Sequence, residues 1–146
     1  MNTSKGRSVF FFWQRWLVGV GVLVTVFGLF MALLNNTPLF ALFNHQIDPL
    51  FWEARAIPTP GLAFRSWVYG VWGATVVGWG ILVIFIALYP FKQRERWAWN
   101  ALLVAVGAWY LLDTGISLYF GVTFNAIFNT LLLALAGLPL FMTRKM

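Results

Sequence analysis

One carboxylate stands inside a long apolar stretch of the sequence, and it is the group with the strongest reason to do chemistry. The chain has four acidic residues, and three of them fall in polar stretches between hydrophobic segments. The fourth, Asp113, has apolar residues on both sides. A carboxylate at the centre of a membrane-spanning helix costs about 2.5 to 3.5 kcal/mol on insertion scales. Asp113 therefore needs a hydrogen-bonding partner or a proton.

Polar side chains at helical spacing follow Asp113. Ser117 comes one helical turn later, and Asn125 and Asn129 are also four residues apart, so each pair shares one face of its helix. A tight turn at residues 121–123 would fold the two helices together and bring these faces into contact. We therefore predict a polar patch whose ligand-binding residues are Asp113, Ser117, Asn125, Asn129, Trp109 and Tyr110.

The predicted polar patch has more than one interpretation. It could bind the polar end of a lipid-like small molecule, or exchange a proton. Alternatively, Asp113 and the asparagines only hold two helices together, through hydrogen bonds of about 0.6 to 2 kcal/mol each. A weaker hypothesis makes Asp113 the acid or base of an intramembrane enzyme. Because one acid without a basic partner in the membrane is a poor proton relay, we expect no catalytic residue.

Small residues line one helical face of the second hydrophobic segment. Such spacing is typical of membrane helices whose backbones approach closely. Two tryptophans project from nearly the opposite face, where lipid contact explains them better than a stacked cofactor. We predict a surface for helix packing or for a larger partner, formed by Gly70, Gly73, Ala74, Gly78, Trp72 and Trp79.

Metal and cofactor chemistry have little support in the sequence. The chain has no cysteine, and its one histidine, His45, could join Asp48 and Glu53 as metal ligands only if Asp48 does not cap a helix. No phosphate-binding loop, dinucleotide fingerprint or nucleophile elbow is present. We expect no metal site and no cofactor, with bound lipid as the alternative.

The composition indicates the elements that carry these residues. The 146 residues are 61% hydrophobic and 10% charged, with a mean hydropathy of +0.79, which excludes a water-soluble globule. We predict an all-α integral membrane protein, a single domain over residues 1–146 with four transmembrane helices. The predicted spans are residues 16–34, 62–89, 97–120 and 124–142. The first span is too long for a cleaved signal peptide and is followed by no small-residue cleavage site.

The basic residues predict the orientation. Eight of the ten lysines and arginines fall before the first span, between the second and third, or after the fourth, and only Arg55 and Arg65 fall elsewhere. The positive-inside rule then places both termini in the cytoplasm, in a plasma membrane of the bacterial inner-membrane type. The net charge of +6 is scattered over the segment ends, so we expect no nucleic-acid partner.

The loop at residues 35–61 contains repeated helix-start signals. A threonine or aspartate precedes a proline at residues 37–38, 48–49 and 59–60, as N-cap and first helical positions prefer. We predict two short helices lying in the membrane interface outside the cell, near residues 38–44 and 49–56.

These features together favour a non-enzymatic accessory or scaffolding subunit of a membrane complex, or a protein that associates with itself. The alternative is a binding protein or carrier for a lipid-like small molecule, with its polar site around Asp113.

Overall fold

The protein is entirely helical in a computed structural model that describes residues 3–52 and 57–145. Five α-helices follow one another in the described chain: α1 (Thr3–Leu33), α2 (Pro38–Trp52), α3 (Thr59–Leu88), α4 (Arg96–Tyr119) and α5 (Thr123–Met142). All of them except α2 are long and apolar enough to cross a membrane. The chain is therefore a helical bundle with four candidate spans.

The helix boundaries agree closely with three predicted spans, since α3, α4 and α5 each begin and end within three residues of them. The first helix is longer than predicted, because α1 begins at Thr3 and not near residue 16. Its added turns have a packing role. The Phe10 ring is buried and stacks on Phe91 at a centroid distance of 5.7 Å.

Helices α1 and α3 form the most extensive interface of the bundle. Glycines let their backbones touch. A methyl group added at Gly80 would lie 2.6 Å from the backbone nitrogen of Thr25 and 2.8 Å from the carbonyl oxygen of Gly21. The same holds one heptad earlier, where a methyl group at Gly73 would lie 2.6 Å from the Gly28 carbonyl oxygen. The α1–α3 interface therefore requires glycine at positions 73 and 80.

Helices α4 and α5 form an antiparallel hairpin with a very short turn. Gly121 has a φ of 73°, a left-handed conformation that glycine adopts without steric cost. The Val122 amide then donates to the Ser117 carbonyl oxygen at 2.8 Å and closes the end of α4. The turn fixes the register of the two helices and so decides which polar residues meet. The hairpin joins the first pair of helices mainly through contacts between α5 and α1.

Helix α2 corrects the prediction of two short helices. It is continuous from Pro38 to Trp52 with Pro49 inside it, and the rest of the predicted second helix, residues 53–56, lies outside the described residues. Asp48 does not act as an N-cap because its carboxylate binds Arg65 of α3 at 2.5 Å. The predicted start of a second helix at Pro49 is therefore absent, and α2 continues through this proline.

Aromatic rings connect α2 to both pairs of long helices. Phe43 lies 5.7 Å from Phe27 of α1, and 5.3 and 5.6 Å from Phe124 and Phe128 of α5, as ring centroids. Phe40 is buried and makes an edge contact with Tyr69 of α3 at 5.3 Å. Helix α2 therefore bridges the two halves of the bundle at the end opposite the termini.

Candidate functional site

The residues predicted to surround Asp113 come together between α4 and α5. The Asn125 and Asn129 side-chain amides donate to Asp113 Oδ1 at 2.7 and 2.9 Å. The Ser117 hydroxyl contacts the same oxygen at 3.2 Å and donates to the Asp113 backbone carbonyl at 2.7 Å. Asp113 Oδ1 thus accepts from two neutral amides of α5, and the single proton of the Ser117 hydroxyl of α4 is shared between that oxygen and the Asp113 carbonyl oxygen. We call Asp113, Ser117, Asn125 and Asn129 the polar clasp.

The helical spacing in the sequence builds the polar clasp. Asp113 and Ser117 lie one turn apart on α4, and the two asparagines lie one turn apart on α5. Asn129 is 2% exposed and also donates to Thr114 Oγ1 at 3.3 Å, while Asn125 donates to the Ser117 hydroxyl at 2.8 Å. Thr114, which the sequence analysis did not single out, is one more buried polar partner of the clasp.

Trp109 and Tyr110 lie beside the polar clasp and not within it. Both side chains are half-buried, and the Tyr110 hydroxyl pairs with Thr130 Oγ1 of α5 at 3.3 Å. Neither side chain hydrogen-bonds Asp113 among the described residues. They border the clasp on the side nearer the α4 N-terminus.

The second carboxylate oxygen decides what the polar clasp can do. Asp113 is partly exposed, and within residues 6–52 and 57–145 no side chain donates to its Oδ2. The clasp therefore combines a saturated oxygen, which holds two helices, with an oxygen open to a donor from outside the chain. The one ion pair seen in the described part of the chain, Arg65–Asp48, belongs to α3 and α2.

The small residues predicted as a packing face of α3 divide between two surfaces. Gly73 lies at the contact with α1, and Gly70 lies at its margin, where an added methyl group would lie 3.9 Å from the Ala32 carbonyl oxygen. Ala74 is exposed, and a methyl group at Gly78 would have no atom within 4 Å. The α1 contact instead continues through Gly80, because helical rotation turns Ala74 and Gly78 away from α1. Trp72 and Trp79 are exposed, by 60% and 38%.

A second polar cluster, which the sequence analysis did not anticipate, joins α1, α2 and α3. The Ser66 hydroxyl of α3 donates to the Asn35 side-chain oxygen at 3.1 Å and accepts from the Asn36 amide at 2.8 Å. Asn44 of α2 donates to the Asn35 carbonyl oxygen at 3.3 Å. The sequence signal was the asparagine pair directly after the first hydrophobic segment. This cluster satisfies backbone groups at the end of α1.

The metal alternative has no support in the described residues. They contain no group of three histidine, cysteine or acidic side chains that could hold an ion. His45 is exposed, Asp48 binds Arg65, and Glu53 lies outside the described residues.

No protein-family model, no curated protein and no solved structure matches the chain. The residues and their geometry therefore carry the functional inference.

Proposed function

We propose that the chain is an integral membrane protein with four spans and both termini in the cytoplasm of a bacterial cell. The support is the set of four long apolar helices and the position of the basic residues. The Arg96 guanidinium donates to the Arg144 carbonyl oxygen at 2.6 Å, and Arg94 lies over the Phe10 ring at 4.5 Å. The start of α1, the α3–α4 loop and the end of α5 thus share one basic end, as expected of a cytoplasmic side.

The absence of native cysteines makes this orientation simple to test. Single cysteines at Thr123 and Lys145 should react differently with a membrane-impermeant maleimide added to intact cells. Thr123→Cys should be labelled and Lys145→Cys should be labelled only after the membrane is opened. The reverse pattern would invert the proposed topology.

Within the membrane, the geometry favours a non-enzymatic accessory or scaffolding subunit. One observation carries this proposal: α3 has small residues on two faces and uses only one of them inside the chain. Gly73 and Gly80 touch α1, whereas the face with Ala74 and Gly78 is open. Small residues at a membrane-helix surface allow close approach of a second helix, and the exposed Trp72 and Trp79 supply large apolar contact area farther round α3. The occupant we propose is a transmembrane helix of a larger complex or of a second copy.

A bulky substitution on the open face tests the proposal. Gly78→Leu should reduce association, measured by photobleaching step counts and by stoichiometric co-purification from native membranes, at least about tenfold. Gly19→Leu on α1 is the matched control, because neither glycine has an atom within 4 Å of an added methyl group. Both variants should fold alike.

The outcomes separate the proposal from its rivals. Loss of association with Gly78→Leu alone supports it. Equal association of the Gly78→Leu and Gly19→Leu variants would show that the partner does not bind at the face with Ala74 and Gly78. A chain that stays a single copy without a stoichiometric partner in its native membrane overturns the accessory-subunit proposal.

A second candidate function follows from the open oxygen of Asp113. A lipid-like molecule with a hydroxyl or ammonium group could donate to Oδ2 while its apolar part lies along α4 beside exposed Leu112 and Ile116. Mass spectrometry of the gently extracted protein should then find a retained small molecule that Asp113→Ala releases. Retention by Asp113→Ala, or no retained molecule in the unmodified protein, would leave the clasp as an interhelical contact alone.

A further inference from the structure

A groove opens between α1 and the end of α3, at the basic end of the bundle. It has a volume of about 380 Å³, within the size range of small-ligand sites. Its lining combines apolar and basic side chains: Phe11, Gln14, Arg15, Val18, Leu88 and Lys92. None of them belongs to the polar clasp or to the open face of α3.

Helix geometry fixes the shape of the groove. Phe11, Arg15 and Val18 recur at helical spacing and share one face of α1. Gln14 beside them is 4% exposed and donates to the Ala87 carbonyl oxygen of α3 at 3.0 Å. This buried hydrogen bond ties the floor of the groove to both helices, so its walls are set by the folded bundle.

The cations of the groove differ from the other cations at the basic end. Arg94, Arg96 and Arg144 each lie over an aromatic ring of the chain, 4.4 to 4.5 Å from its centroid. Arg15 and Lys92 have no ion pair and no side-chain hydrogen bond within the described residues. Both are exposed and face the same groove. The pair therefore presents positive charge that the described chain does not neutralise.

The order of residues along the helices matches an amphipathic ligand. α1 runs away from the basic end, so Val18 lies deeper than Arg15 by about one turn. α3 runs toward that end, so Leu88 lies deeper than Lys92. Val18 and Leu88 thus lie below the two cations, where the acyl chains of a phospholipid would lie if its phosphate contacted Arg15 and Lys92, and Phe11 lies about one turn nearer the surface than Arg15.

We propose that this groove binds an anionic phospholipid, with Arg15 and Lys92 contacting the phosphate and Val18 and Leu88 contacting the acyl chains. The proposal rests on the membrane placement above, and it is independent of the accessory role. Basic pockets between membrane helices on the cytoplasmic side suit anionic headgroups on electrostatic grounds. Gln14 is a positioning residue, since it fixes the wall that carries Arg15.

Competition between two lipids tests the proposal on the full chain. Purified protein is equilibrated with equal amounts of phosphatidylglycerol and phosphatidylcholine of the same acyl chains, and native mass spectrometry counts the bound lipids. The unmodified chain should prefer phosphatidylglycerol. The preference of the double variant Arg15→Gln with Lys92→Gln should be about thirtyfold lower, the scale expected for the loss of two cations at an anionic lipid.

A charge-matched control separates the groove from the general basic surface. Arg7→Gln with Lys145→Gln removes the same charge from exposed positions outside the groove and should change the preference less than about twofold. The exchange Arg15→Lys with Lys92→Arg should keep it. Unchanged helicity and elution volume confirm that each variant is folded.

Three results would overturn the proposal. Equal loss in the groove variant and the control would reduce the effect to surface charge. An undiminished preference in the groove variant would exclude the groove. Displacement of phosphatidylglycerol by an equal concentration of inorganic phosphate would identify an anion site without a lipid component.

Discussion

The two main helix pairs of this bundle are held together in opposite ways. Glycines form the middle of the contact between α1 and α3, so backbone lies against backbone at Gly28 and Gly73. Polar side chains form the contact between α4 and α5, where Asp113 Oδ1 accepts hydrogen bonds from Asn125 and Asn129. Apolar surroundings give helices no hydrophobic reason to associate, so contact must come from close packing or from polar bonds. Close packing of glycines dominates the middle of the α1–α3 contact, whose polar bonds, from Gln14 to Ala87 and from Asn36 to Ser66, lie toward its two ends, whereas polar bonds join α4 to α5.

The two helix pairs are vulnerable to different kinds of substitution. A backbone contact tolerates no added atom but needs no particular chemistry, whereas a polar contact tolerates small changes of shape but requires donors and acceptors. Substitutions that alter volume and substitutions that alter hydrogen bonding should therefore affect different halves of the molecule.

Gly73→Ala should have the largest effect. The added methyl group would lie 2.6 Å from the Gly28 carbonyl oxygen, so α1 and α3 must separate. We expect a loss of about 3 kcal/mol in the free energy of unfolding, the upper range of overpacking. Denaturant titration in mixed micelles measures it. Gly78→Ala is the control, since no atom lies within 4 Å of its added methyl group. Equal losses would contradict a backbone-limited interface.

Asn129→Ala should follow, with a loss of about 2 kcal/mol, because it removes two buried hydrogen bonds: Thr114 Oγ1 loses the Asn129 amide, and Asp113 Oδ1 keeps only the Asn125 amide. The same measurement applies. Asn125→Ala should cost about half as much, because that side chain is only half-buried. If neither substitution lowers stability, the polar clasp does not hold the hairpin.

Threonine-to-valine exchanges probe both pairs with one chemical change. Thr114→Val should cost about 0.5 to 1 kcal/mol, because its hydroxyl accepts from Asn129. Thr25→Val should change stability by less than about 0.5 kcal/mol, because its hydroxyl donates to the Gly21 carbonyl oxygen of the same helix. A larger effect at Thr25 would show that the glycine-packed part of the α1–α3 contact also depends on this hydroxyl.

Asp113→Asn should have the smallest effect on stability, about 0.5 kcal/mol or less, because an amide oxygen can accept from the same donors. The more informative measurement on Asp113→Asn is whether the purified variant still retains a bound small molecule. Lost retention with intact stability would favour the ligand-binding candidate. A large loss of stability would mean that the carboxylate charge itself holds the hairpin.

Much of the fold and of the polar clasp follows from local patterns. Long apolar runs set the candidate spans, and a three-residue turn leaves two helices few ways to pair. Asp113 and Ser117 then face Asn125 and Asn129 because the turn fixes the register. Here the relevant contacts lie close together in the sequence.

Contacts between distant segments were harder to predict. α3 has small residues on two faces, and its own periodicity does not say which face meets α1. The signal was in both helices together: Gly21 and Gly28 are seven residues apart, as are Gly73 and Gly80. The Asp48–Arg65 pair was hidden for the same reason, since the local proline pattern suggested a helix start and the partner lies on another helix.

The position of Phe43 has a consequence for the order of biosynthesis. Its ring contacts Phe27, which is made earlier, and Phe124 and Phe128, which are made 81 and 85 residues later. Helix α2 must therefore wait through the synthesis of two more long helices before its last partners exist. Until then the Phe43 ring has only its partners from α1 and α2, Phe27 and Phe40, and its side toward α5 is uncovered.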